Sequence, residues 1–286
     1  MRRRVIRLRK EYLFQRQKEA IGEAIHENKE KLRNALKNNT EIPGALKKEG
    51  KRLKNAIELE DDQTKERHTH VDDEYTLAGI ENPLVLLTTT HDPSQKLLQF
   101  AKEMKLLFPN STRMNRGKTS VPELFEMARS NNFSDVVIIG ETRGEPDSLV
   151  VSHLPFGPSI RCTLYNTVMR HDIEGVSTMS EQFPHLIFDN FTTKLGQRVV
   201  TILKHLFPVP KEESTRVLTF SNDNDFIRFR HHTYAKAGKD ILLTEIGPRF
   251  EIRPFEIRQG TVEMKDAETE WHLAPFMNTA KKRKLL

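Results

Sequence analysis

Cysteine is nearly missing. Cys162 stands alone in 286 residues, so neither an internal disulfide nor a cysteine-rich zinc site can form, which suits a reducing compartment. The lone thiol sits in an apolar, strand-like run and reads as inert core packing rather than as a nucleophile. No apolar run approaches the roughly 18 residues that span a bilayer, and no apolar segment follows Met1, so neither a membrane helix nor a secretory signal is expected. A mitochondrial leader is not expected either, because Glu11, Glu19, Glu23 and Glu27 soon follow the arginine-rich start. No serine, histidine and acid constellation stands out, nor any pair of carboxylates in an apolar setting. Binding is therefore favoured over catalysis.

What the chain does have is charge, concentrated in one place. Charged residues make up 30% and apolar residues 36%, enough to bury a core beneath an unusually polar surface. The formal net charge is +6, but residues 1–60 alone hold 17 Lys and Arg against 9 acids, which leaves the rest slightly acidic. Such an excess in one segment is the footprint of an arm that neutralises phosphates. Residues 2–38 are strong helix formers in which Ile21, Ile25, Leu32 and Leu36 recur as one narrow stripe, with Gly22 a candidate bend. A second short helix is expected over 45–59, carrying Leu46, Leu53 and Ile57. So thin a stripe makes no core of its own, so residues 1–60 are expected to order on a partner. Residues 61–80 read as an acidic linker, 81–265 as the globular domain, and 266–286 as a tail.

Within the globular part the chain repeats itself. Residues 106–113 read LLFPNSTR, and residues 203–216 read LKHLFPVPKEESTR. Upstream of each, an apolar strand turns through threonine-rich residues into an amphipathic helix that ends at Leu-Phe-Pro, where proline cannot donate the next ladder bond. Residues 149–164 (LVVSHLPFGPSIRCTL) align with 241–255 (ILLTEIGPRFEIRPF), each read as two strands about a Gly-Pro turn, that is, a β-hairpin. Four landmarks in one order imply an internal duplication, with α/β halves at about 81–170 and 180–265.

Three apparent chemical motifs dissolve on inspection. RGKT at 116–119 lacks the first glycine of a phosphate-binding loop, because Thr112 stands in its place. Its Arg116 and Lys118, with Arg113, suit a nucleic-acid backbone instead, or else a solvated loop. His68, His70, Asp72 and Asp73 lie in the polar linker, without the rigid surroundings a metal needs. Asp223 and Asp225 lack the glycine turn and distal glutamate of a calcium loop. More promising is FIRFRHHTY at 226–234, where strand alternation puts Phe226, Arg228, Arg230 and His232 on one face and Ile227, Phe229 and His231 on the other. Cations beside rings can hold phosphates and stack bases. Salt bridges to neighbouring strands are the equal alternative.

On these residues the chain resembles the Brix-domain family of ribosome-biogenesis factors. The likeness is carried by NPLVLLTTTHDPSQKLLQFAKEMKLLFPNSTRMNRGK, LVVSHLPFGPSIRCTLYN, TRVLTFSNDNDFIRFRHHTY and IGPRFEIRPFEIRQGT, roughly residues 82–263. The basic start MRRRVIRLRKEYLFQRQKEA and the later TEWHLAPFMNT resemble its Imp-four-type subgroup. The resemblance implies an α/β fold of two pseudo-two-fold halves, each similar to the anticodon-binding domain of class II synthetases. It also implies a nucleolar, non-enzymatic protein of the small-subunit processome that needs no cofactor. Its partners would be U-three small nucleolar RNA, precursor rRNA, an Mpp-ten-type scaffold and an Imp-three-type RNA-binding protein. The basic run 281–284 is compatible with nuclear import.

Candidate RNA contacts are therefore Arg2, Arg3, Arg4, Arg7, Arg9 and Lys10 in the arm, with Arg113, Arg116, Lys118, Arg161, Arg228, Arg230 and Arg249 in the globular domain. The competing expectation is a protein-docking module that uses the stripe Ile21, Ile25, Leu32 and Leu36.

Overall fold

A computed structural model describes residues 2–37, 46, 52–53, 74–75, 79–237, 240–274 and 285–286. The chain divides into two compact units, Met1–Thr76 and Leu77–Leu286.

The first unit is built on α1 (Arg2–Lys37), a single helix of 36 residues that runs through Gly22 without interruption. Its stripe is divided in use. Leu32, Leu46 and Leu53 bury one another, whereas Ile21 and Ile25 stay exposed at 63% and 45%. Glu74, assigned from sequence to the linker, is instead buried in this unit, accepting a hydrogen bond from Tyr12 Oη at 2.9 Å and lying 3.7 Å from Arg16. Burying a carboxyl group is costly unless such partners hydrogen-bond to it. The rest of the expected second helix and linker, including His68, His70, Asp72 and Asp73, falls outside the described residues.

The second unit is a sheet with helices on its faces. Along the chain it runs β1 (Val85–Thr89), α2 (Gln95–Leu107), β2 (Ser111–Arg113), α3 (Val121–Ser130), β3 (Asp135–Thr142), β4 (Glu145–His153) and β5 (Ser159–Val168). It continues with β6 (His185–Asp189), α4 (Lys194–Lys204), β7 (Arg216–Asp223), β8 (Phe226–Ala237), β9 (Asp240–Glu245), β10 (Arg249–Arg258) and β11 (Thr269–His272). The described residues form one eleven-stranded sheet in the order β2, β1, β3, β4, β5, β10, β8, β7, β6, with β11 beside β10 and β9 beside β8. From β1 inward the pairs β1–β3, β3–β4 and β4–β5 are parallel, antiparallel and antiparallel. From β6 inward the pairs β6–β7, β7–β8 and β8–β10 follow the same pattern, and β5 joins β10 antiparallel in the middle.

Local chemistry sets the helix ends. Ser94 caps α2 by accepting the Leu97 N–H at 3.2 Å, and Thr193 caps α4 by accepting that of Gly196 at 2.9 Å. Both helices bury their apolar faces in one core, with Leu97, Phe100, Met104 and Leu107 of α2 and Val199, Ile202 and Leu203 of α4 against the sheet. α3 covers Leu86, Val136 and Ile138 on the opposite face. Cys162 lies within the main core, where burial raises its pKa and keeps it a neutral thiol, as its apolar run suggested.

The repeated words now take physical form. The two Leu-Phe-Pro turns meet in the core, with Phe108 and Phe207 stacked at 5.2 Å. The two Ser-Thr-Arg words do not occupy equivalent places. Arg113 ends the edge strand β2, whereas Arg216 opens the interior strand β7 and is 1% exposed. The Arg216 guanidinium donates from Nε to His231 Nε2 at 2.9 Å, from Nη1 to the Gln182 carbonyl at 3.2 Å, and from Nη2 to the carbonyls of Leu106 and Leu107 at 3.1 and 2.8 Å. Those last two carbonyls end α2, where the helix dipole favours a cation. Thus the arginine of the second Ser-Thr-Arg word satisfies the end of the helix that precedes the first.

Two expectations need correction. β4 and β5 do pair as a hairpin, but β9 and β10 do not. Both run antiparallel to β8, interrupted at residues 246–248, and His231 spans the interruption by receiving the Ile246 N–H and donating to the Gly247 carbonyl, 2.9 and 2.8 Å. The Gly-Pro pair here is a break in one edge rather than a turn. Nor is 266–286 simply a tail: β11 extends the sheet, and Leu286 is buried in the core while its carbonyl accepts from Asn222 at 3.3 Å.

Candidate nucleic-acid interface

β8 creates the richest candidate surface by strict alternation. Ile227, Phe229 and His231 are fully buried on the α2 and α4 side, which places Phe226, Arg228, Arg230 and His232 on the opposite face. Register brings Glu251 of β10 and Ser221 of β7 to either side of Arg228, and Tyr165 of β5 beyond Glu251. Arg228 pairs with Asp223 at 2.6 Å and Glu251 at 3.6 Å, yet its side chain remains 52% exposed. Arg230 donates to the Phe229 carbonyl at 2.9 Å. Arg249 grips Glu245 through two hydrogen bonds of 2.5 Å, and this grip holds the glutamate below the usual carboxylate range. Burial, helped by the charges of Arg230 and Arg249, lowers the pKa of His232 against the pull of Glu245.

The salt-bridge alternative left open by the sequence is therefore partly realised, since Arg161 also lies 3.3 Å from Glu256. That does not remove these cations from use. Solvated pairs contribute only about 0–1 kcal/mol, so a phosphate can compete for the guanidinium.

Other candidates lie apart. β2 is six strand positions from β8, roughly 29 Å at ordinary strand spacing, so Arg113 shares no site with Arg228. Lys118 is exposed in the loop after β2, but Arg116 turns inward, 8% exposed, donating to the Thr119 carbonyl at 3.3 Å, and burial lowers its pKa. It is a loop brace rather than a surface cation. In α1, Arg7 and Lys10 are exposed and Arg9 partly so; the side chains of Arg2, Arg3, Arg4 and Leu36 fall outside the described residues. Of the docking stripe, Leu32 is withdrawn by its own unit, because Leu46 and Leu53 already cover it. Phe14, 68% exposed, was missed although it precedes Ile21 by seven residues on the same helix face.

Sequence reasoning also missed Tyr165 and Arg253. Tyr165 meets Phe226 edge-on at 5.5 Å, and the Arg253 guanidinium carbon lies 5.1 Å from the centre of the Phe226 ring. Alternation in residues 159–165 could have placed Tyr165 outward, whereas nothing local reveals that Arg253 faces Phe226.

The sequence signature of the Brix domain matches residues 90–256. "U3 small nucleolar ribonucleoprotein protein IMP4" of Homo sapiens is 48% identical over 288 residues, covering 100% of this chain and 99% of that protein. The Schizosaccharomyces pombe protein of the same name is 49% identical over 279 residues, 96% of each chain. Its Saccharomyces cerevisiae counterpart is 44% identical over 290 residues, 100% of each.

Proposed function

The chain belongs to the Brix-domain family, and from that premise we propose that it is an RNA-binding ribosome-biogenesis factor of the small-subunit processome. The observation that carries this reading is end-to-end similarity to proteins named as U3 small nucleolar ribonucleoprotein components, with the basic arm inside the matched span. The arm supplies sequence-independent attraction for RNA phosphates. The open face of β8 and β10 adds guanidinium groups beside rings, which fix a nucleic acid without proton transfer or bond cleavage. The protein thus holds U-three RNA against precursor rRNA in the nucleolus, beside an Mpp-ten-type scaffold and an Imp-three-type RNA-binding protein, and acts by binding rather than catalysis.

Its two halves are related by a pseudo-two-fold axis between β5 and β10, each half similar to a synthetase anticodon-binding domain. Support comes from the identical sequence of pairing senses read inward from β1 and from β6. RNA recovered with the tagged protein from cells tests the function. Enrichment of U-three RNA and precursor rRNA is expected, and a spread proportional to total cellular RNA would overturn it.

A second reading has its own observation. Phe14, Ile21 and Ile25 are exposed on one face of α1, as a helix for a protein scaffold would show. Loss of scaffold recovery in an Ile21→Asp, Ile25→Asp variant that still binds RNA would favour it.

A further inference from the structure

Across the middle of the sheet, on the face turned away from α2 and α4, two rings and an arginine stand together. Tyr165 on β5 is 40% exposed and its edge-on contact with Phe226 of β8 leaves ring surface open. Between them on β10 lies Arg253, opposite Thr163 in register and over the Phe226 ring. Its Nε is enclosed by protein yet has no hydrogen-bond acceptor. Enclosed donors are nearly always paired, because leaving one unpaired is costly. Arg253 thus brings a cation, without an ion pair among the described residues, to the half-buried Phe226 ring and the exposed Tyr165 ring. The neighbouring carboxylates, Asp223 and Glu251, are already held by Arg228, and Glu251 also accepts from Asn166 at 3.0 Å.

We propose that this face binds an unpaired RNA nucleotide, its base stacked on the exposed Tyr165 ring with an edge toward Phe226, and a phosphate or base-edge oxygen at Arg253. The inference rests on the RNA-binding function proposed above and gives it a ligand class. A base within a duplex offers its flat surfaces only to its neighbours, so rings lying on a sheet can be reached only by a base splayed out of a helix. Stacking is tolerant of sequence, whereas the cation fixes the backbone.

The full-length protein is titrated, by fluorescence anisotropy, into a labelled single-stranded oligouridylate and into a blunt RNA duplex of equal charge. Tyr165→Leu and Arg253→Met should each weaken single-strand binding by about tenfold, leave duplex binding unchanged, and keep the thermal midpoint of the wild type. Tyr165→Phe, which keeps the ring, should bind as wild type. Unchanged single-strand affinity in both disruptive variants would overturn the site while leaving the broader RNA reading intact. An equal loss on both RNAs would reduce the site to a charge contact and overturn stacking. Variants that bind both RNAs normally but recover less of a copurifying protein would reassign the face to protein docking. A wild-type protein that binds neither RNA at low salt would overturn this inference together with the function it rests on.

Discussion

Acid should loosen this protein through His231. The imidazole is fully buried, receives the Arg216 Nε–H at Nε2, and donates from Nδ1 to the Gly247 carbonyl, so both nitrogens are committed in the neutral form. Burial first, and the neighbouring Arg216 charge second, push its pKa from 6.5 down to about 3. Above pH 6.5 the imidazole is neutral whether the chain is folded or not, and the contribution is whole. As pH falls from 6.5 toward 3, the unfolded chain takes up a proton that the folded chain refuses, and stability falls. For one such group the slope approaches about 1.4 kcal/mol per pH unit. Between pH 6 and 4 the loss is thus roughly 2–3 kcal/mol, a large share of the 5–15 kcal/mol typical of a folded domain. Carboxylates add their own acid dependence, so the assay is a comparison. Urea unfolding followed by Trp271 fluorescence at several pH values is run on the wild type and on His231→Gln, whose amide offers an acceptor and a donor but does not titrate. The wild-type slope should exceed the variant's by about 1 kcal/mol per pH unit over this range. Equal slopes would show that His231 takes up its proton while folded, and would refute the reasoning.

Arg216→Met should destabilise the protein by about 3–5 kcal/mol in the same urea assay, because the buried Leu107 carbonyl, the part-buried carbonyls of Leu106 and Gln182, and the buried His231 lose their donor, whereas Arg113→Met at the sheet edge should stay within about 0.5 kcal/mol. Replacing Arg2, Arg3, Arg4, Arg7, Arg9 and Lys10 together by glutamine should flatten the dependence of log affinity on log salt for single-stranded RNA by up to about 4, at roughly 0.7 per phosphate contact, and an unchanged slope would remove the arm from the interface. Leu32→Asp should lower the helical signal of the arm in circular dichroism by disrupting the packing with Leu46 and Leu53, while Ile25→Asp should leave it intact. Equal effects of the two would contradict the division of the stripe into a covered and an open part.

Much of this fold was legible because it is written in local chemistry. Proline after Leu-Phe marked both helix ends, and the alternation in 226–232 placed each side chain of β8 on its proper face. Where local chemistry has two outcomes, the reading failed. Gly-Pro serves equally as the turn of a hairpin after β4 and as a break along β8's edge, and only pairing partners distant in sequence distinguish the two. Ser-Thr-Arg likewise ends on the surface once and in the core once. Arg216 is buried because acceptors more than a hundred residues upstream, at the end of α2, converge on it, and no window around residue 216 contains them. The candidate interface was visible as cations on β8, but Tyr165 and Arg253 joined it through strand order. β5 and β10 pair although they lie far apart in the sequence.

The most direct test is to crosslink the protein to RNA in living cells with ultraviolet light and identify by mass spectrometry the peptides that carry nucleotide adducts. The account predicts adducts on the basic arm within residues 2–37 and on the face formed by β5, β8 and β10, attached to U-three RNA and precursor rRNA. Adducts confined to the α3 face, or none on either segment, would contradict it.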